Sequence, residues 1–311
     1  MKKLLLALMC ALFVFLALGS DSGAGWATLG TKGNGTNQFQ GPSGVAVDKS
    51  GHIYVADRQN CRIVRMNDMS GEGWTTLGTQ GNGTKQFFAP SAVALDASGH
   101  IYVADEGNSR IVRMNDMGGG GWTTLGSGIG SGRNQFGNPD GIAVDASGHI
   151  YVAEYSGTRL AVMNDMSGKG WATLGGGRGS GVNQFDHLSG VAVDPNGQIY
   201  VADYSNDRVL SMNDISGKGW TAFGASGSGS KHFDGPRGIA IDSKGHIYVV
   251  DDGNSRVVRL NDLSGKGWTS VGANGNGKKE LNGPHGVALD ANGSIYIADY
   301  SNNRIVQLRM P

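Results

Sequence analysis

Six tryptophans, at positions 26, 74, 122, 171, 220 and 268, follow one another at steps of 48 or 49 residues. A period of that length is the mark of a chain built from one supersecondary unit, in which each unit buries its apolar surface against its neighbours. Other landmarks keep the same step. A tyrosine recurs as Tyr54, Tyr102, Tyr151, Tyr200, Tyr248 and Tyr296, and an arginine as Arg62, Arg110, Arg159, Arg208, Arg256 and Arg304. No linker or second domain interrupts the series. The 54 glycines among 311 residues fit a turn-rich chain, and 39% hydrophobic residues suffice for a core, so disorder and collagen-like structure are excluded.

Each unit holds four short apolar runs, in the first GVAVD from Gly44, HIYVAD from His52, RIVRM from Arg62 and GWTTLG from Gly73. Their Val, Ile, Tyr and Trp content favours strands, and they are too short to stand as helices. Ile53 and Val55 should point one way and Tyr54 the other, so each sheet must be covered on both faces. The turns between first and second runs read DKSGH, DASGH, DASGH, DPNGQ, DSKGH and DANGS, which is type I turn chemistry. His52, His100, His149 and His246 share the slot after that turn and read as turn packing. The recurring pairs Asp57–Arg62, Asp105–Arg110, Glu154–Arg159, Asp203–Arg208, Asp251–Arg256 and Asp299–Arg304 read as structural ion pairs, because six equal copies do not make an active site.

The ends supply closure. Trp26-Ala27-Thr28-Leu29 matches the fourth run of a unit, while the last unit stops after its third run at Leu308. The expected fold is therefore all-β, a six-bladed β-propeller of four-stranded antiparallel blades in which the N-terminal strand completes the last blade. Ahead of it, Lys2 and Lys3 precede an apolar run from Leu4 to Leu18 that is too short for a membrane span and ends in a small-residue cleavage site. Residues 1–19 read as a cleaved signal peptide and residues 20–311 as one propeller domain, secreted or periplasmic. Cleavage would leave 24 basic and 26 acidic residues, so no global field draws the chain to nucleic acid. Cys61 would then be the only cysteine, and no internal disulfide could form.

The pattern GVAVDxxGxIYVADxxNxRI, running from Trp26 to Leu308, resembles the NHL-repeat family. That resemblance implies a six-bladed propeller but leaves function open, since similar rings serve as protein-binding, RNA-binding and enzymatic scaffolds. The related peptidyl amidoglycolate lyases hold zinc through histidines after the proline that opens the first strand. Here that slot carries histidine once, at His285.

Function must then be sought where the units differ. Connectivity places the loop leading into each first strand, and the loop between second and third strands, on one face of the ring, the top. At the start of the first strand the units carry Ser43, Ser91, Asp140, Ser189, Arg237 and His285, beside the channel. Just after the IYVAD motif they carry Arg58, Glu106, Tyr155, Tyr204, Asp252 and Tyr300. These twelve mix aromatic rings with both charge signs, as recognition surfaces do. The expectation is a binding scaffold for a protein, peptide or glycan, with no cofactor. The alternative is a metal-dependent lyase or lactonase-like hydrolase holding Zn or Ca at the channel mouth. His187, His232 and His285 are its candidate ligands and Asp140 and Glu154 its available carboxylates, although the three histidines occupy different slots. The glycine-rich loops lack the helix and Lys-Ser/Thr ending of a phosphate loop, and Cys61 reads as an incidental small residue.

Overall fold

A computed structural model describes residues 25–310, so the expected signal segment lies outside the described residues. The chain forms six four-stranded antiparallel sheets arranged as a closed ring. Blade one comprises Pro42–Val47, Ile53–Asp57, Arg62–Met66 and Thr75–Leu77, numbered from the channel outward. The last blade comprises Pro284–Leu289, Ile295–Asp299 and Arg304–Leu308, with Ala27–Leu29 as its outer strand. Thr28 lies opposite Val306, and Leu29 opposite Ile305, so the two ends of the chain pair and no sheet is left incomplete.

Alternation along each second strand joins the blades. Ile53 and Val55 pack with Tyr296, Ala298 and Ile305 of the last blade. Tyr54 and Ala56 pack with Val93, Ile101 and Val103 of blade two. Each blade thus contributes to two cores, which is why its strands are apolar on both faces.

The turn at Asp48 shows its expected chemistry. Asp48 Oδ1 accepts from the amides of Ser50 (2.8 Å) and His52 (3.0 Å), and Gly51 takes φ +87°. The His52 ring closes on Asp48 Oδ2 at 2.7 Å, and His100, His149 and His246 repeat the contact, so these four histidines hold turns.

The glycine-rich loops do more than connect strands. Each drives one large side chain (Phe39, Phe87, Phe136, Phe185, Phe233 or Leu281) between blades until nothing of it is exposed. Phe39 meets Trp74 at 5.1 Å between ring centroids. Arg62 fixes the loop by donating to the carbonyls of Asn34 (2.6 Å) and Gln38 (2.9 Å) while its Nε holds Asp57 at 2.7 Å. The arginine repeat therefore anchors a loop as well as a carboxylate. Among the described residues no helix is long and apolar enough to cross a membrane.

Candidate functional site

The first strand of each blade starts with a register shift, between Pro42 and Val45 in blade one and at the equivalent place in the others. Such a bulge re-aims a side chain, here towards the axis. The small residue that follows lets neighbouring strands approach closely. A Cβ on Gly190 would lie 2.2 Å from the Arg237 carbonyl oxygen, and one on Gly286 would lie 2.5 Å from that of Ser43. The result is a cavity of about 130 Å³ with two tiers. Ser43, Ser91, Asp140, Ser189, Arg237 and His285 form the outer, polar tier, as expected of the channel-side ring, and Val45, Val93, Ile142, Val191, Ile239 and Val287 form an apolar tier beneath it.

The second ring stands on the turns after the second strands, of which Arg58–Asn60, Glu106–Asn108 and Tyr204–Asn206 are short 3₁₀ turns. Its members touch the first ring and one another. Arg58 is ion-paired with Glu106, and Glu106 also accepts from Asn138 at 3.5 Å. Arg237 Nε donates to Asp252 at 2.6 Å, its guanidinium lies 4.4 Å from the centre of the Tyr204 ring, and its Nη1 is 3.9 Å from Asp140. Asp140 accepts from the Ser189 hydroxyl at 2.6 Å. Tyr155 lies 5.8 Å from Tyr204, and Tyr300 stacks on His285 at 4.2 Å with the planes 12° apart. Ser43 meets His285 Nδ1 at 3.4 Å, while Ser91 donates to the Pro139 carbonyl at 2.9 Å. The twelve residues selected from the sequence thus gather around one mouth.

Enclosure sets the protonation states there. Burial, reinforced by the charges of Arg237 and Arg58, holds His285 well below the ordinary histidine range, so its imidazole is neutral at physiological pH. Burial and the neighbouring Asp140 charge raise the Glu106 carboxyl, against the pull of Arg58. Burial also raises Tyr155.

The three candidate zinc ligands have separate surroundings. His187 faces Asp186 (2.7 Å) and Ser205 (2.9 Å) through Nδ1, and Arg178 (2.6 Å) through Nε2. His232 bonds the Ser230 carbonyl at 2.8 Å on an exposed loop, whereas His285 lines the cavity. Among the described residues no three His, Cys, Asp or Glu side chains come together as a metal-binding group. Glu154 is fully buried and bonded to Arg159 at 2.8 Å and to the Gly137 amide at 2.7 Å, so it belongs to the scaffold. Cys61 occupies a left-handed position, φ +52°, where other blades carry Ser, Thr, Asp or Asn.

Two features differ from the sequence reading: His187, a candidate metal ligand there, packs on an aromatic ring, and Phe88 was not singled out. The His187 ring lies 4.4 Å from that of Tyr155, with the planes 37° apart, and so extends the aromatic surface with Asp186 and Arg178. Phe88, 45% exposed, packs against Gly107 beside Glu106. The slots of both vary between blades, a signal open to comparison of the repeats. Arg133 is directed away from the mouth: it donates to the Gly168 carbonyl at 3.0 Å, in a loop joining third and fourth strands at the opposite ends of the blades.

The NHL repeat matches residues 39–66, 89–114, 185–210, 233–260 and 281–308. The chain is an NHL-repeat propeller. The NHL propeller has a sixth, unmatched blade, the third, where Glu154 replaces the recurring aspartate and Gly157 replaces the asparagine. The two changes belong together, since a Cβ at Gly157 would lie 2.3 Å from Glu154 Oε2. No curated protein matches the sequence significantly. Among solved structures, the propeller is similar to a streptogramin B lyase (13% identity, TM-score 0.63, covering 92% of this chain and 98% of that one). It is also similar to a gluconolactonase from Xanthomonas campestris (15%, 0.66, 88% and 87%) and to a chain of the nidogen/laminin complex (19%, 0.63, 81% and 86%). At these identities the likeness concerns the fold.

Proposed function

We propose that this NHL propeller is an exported binding scaffold that holds a protein, peptide or glycan at its top mouth, in the periplasm or outside the cell, without a cofactor. The observation that supports it most is the gathering of the blade-specific residues, most of them in contact with one another, around the channel-mouth cavity of a ring that is otherwise regular. Aromatic rings and paired arginines at the rim of a concavity are the composition of recognition surfaces. The similarity to a chain from a protein–protein complex agrees with this use of the fold.

The test is binding to peptide and glycan arrays by residues 20–311, with and without alanine at Arg58, Tyr204 and Arg237. Loss of the retained ligands in a variant that melts within a few degrees of the parent is expected. Full retention would contradict the proposal.

A second reading rests on the neutral His285 in a cavity with Asp140 and on the likeness to a lyase and a lactonase: a metal-assisted lyase or hydrolase using Zn or Ca. The side chains fit this poorly, since His187 and His232 do not join His285. Elemental analysis separates the readings. Stoichiometric zinc or calcium that is lost in His285→Ala would favour the enzyme.

A further inference from the structure

We propose that the channel mouth binds a protonated primary amine carried on a short branched aliphatic group, the chemistry of the apolar amino-terminal residue of a peptide. This rests on the top-face reading and specifies its ligand.

Charge comes first. Around the mouth, two guanidiniums, Arg58 and Arg237, face three carboxylates, Glu106, Asp140 and Asp252. Arg58 is engaged by Glu106, and Arg237 by Asp252 and the Tyr204 ring. Asp140 is left with the Ser189 hydroxyl at 2.6 Å and Arg237 only at 3.9 Å. These five groups carry one more negative than positive charge, and Asp140, whose guanidinium contact is the longest of the three, lines the cavity. A carboxylate or phosphate ligand would meet that charge with both guanidiniums already committed. An ammonium would instead pair with the mostly buried Asp140 carboxylate.

Hydrogen bonding agrees. An ammonium has three donors and no acceptor, so its site must offer acceptors. His285 lines the cavity and its Nδ1 meets Ser43, while its Nε2 has no partner among the described residues. With the proton on Nδ1, donated to Ser43, Nε2 presents a lone pair. The depressed basicity of His285 keeps that lone pair available rather than protonated. The Ser91 oxygen, which donates to Pro139, keeps its acceptor side.

Shape gives the third argument. Below the polar tier lie six Val and Ile side chains that retain 6–8% exposure, whereas second-strand core residues such as Val55 and Val103 have none. A cavity of about 130 Å³ has room for a branched chain of about four carbons with its ammonium, since a single ordered water needs only ~10–15 Å³. The apolar group would enter this lower tier, the ammonium would stop at Asp140, and the remaining peptide would leave across Tyr155, Tyr204 and Tyr300.

Calorimetric titration at pH 6.5 tests the proposal with L-leucinamide, N-acetyl-L-leucinamide, isovalerate and the tripeptide amide Leu-Gly-Gly. Saturable 1:1 binding of leucinamide is expected, at least tenfold tighter than that of its N-acetyl form, with no binding of isovalerate. The tripeptide should bind at least as tightly as leucinamide. Asp140→Asn should weaken leucinamide at least tenfold, whereas Ser50→Ala, in the Asp48 turn at the far end of the channel, should leave it unchanged. Equal binding of isovalerate, indifference to Asp140→Asn in a protein of unchanged melting temperature, or no binding by any amine would overturn it. Exclusion of the tripeptide would overturn the peptide assignment. Array ligands that require Arg58, Tyr204 and Arg237 but ignore N-acetylation would remove the amine while leaving the top-face reading intact.

Discussion

Asp57 accepts from donors in three segments: the Gln40 amide at 2.7 Å, Asn60 at 2.8 Å and Arg62 at 2.7 Å. Residues 40, 60 and 62 lie in the incoming loop, the turn and the third strand, so one fully buried carboxylate fixes three segments of the blade. Removing the arginine would leave that charge buried with its main counterion gone. In blade three, where Arg159 is 4% exposed, Arg159→Ala should cost about 3–5 kcal/mol in urea unfolding, and a change below about 1 kcal/mol would show the pair to be dispensable. Tyr151 and Tyr296 are pushed up to about 12 by burial and by the adjacent Asp145 and Asp290 charges. Their folded values exceed the ordinary phenol value near 10, so the folded protein retains protons that the unfolded chain releases. That contribution is intact below pH 10 and is lost as pH rises through about 12. Phenolate absorbance should show Tyr151 and Tyr296 ionising last, and Tyr151→Phe should remove part of that late step; uniform ionisation near pH 10 in folded protein would contradict this.

At the scale of elements, the first strands carry the tightest approaches of one backbone to another. Gly190 has no space for a methyl group because the Arg237 carbonyl stands where it would go, whereas Gly177 has nothing within 4 Å. Gly190→Ala should therefore lower stability by ~1–3 kcal/mol and widen the ring, while Gly177→Ala should be neutral in thermal melts. The closing strand gives a second test. Deleting residues 20–30 removes Ala27–Leu29 and exposes the edge of Arg304–Leu308, so a lower melting temperature and concentration-dependent association in light scattering are expected. The repeat made strands, blade number and closure readable, because each depends on local pattern and on counting. Connectivity alone also placed the twelve variable residues on one face. The pairings among them, such as Arg237 with Asp252 and Tyr204, were not readable, since they depend on how the blades lean together. Phe39 and its equivalents were in view at a fixed step, but a buried plug and a loop residue look alike until the loop's path is known.

At the scale of the molecule, the two ends of the ring are unlike. The end bearing the Asp48-type turns repeats one arrangement, with His52, His100, His149 and His246 each closing on its aspartate. The other end gathers serine from three blades and aspartate, arginine and histidine from the other three around a cavity. Recognition at that end is the central claim. Its most direct test is hydrogen exchange of the NHL propeller alone and with a ligand selected from the arrays. Protection should appear in the turns around Arg58–Asn60, Glu106–Asn108 and Tyr204–Asn206 and at the starts of the first strands. Protection confined to the Asp48–Gly51 turn and its equivalents, at the far end of the channel, would contradict the account.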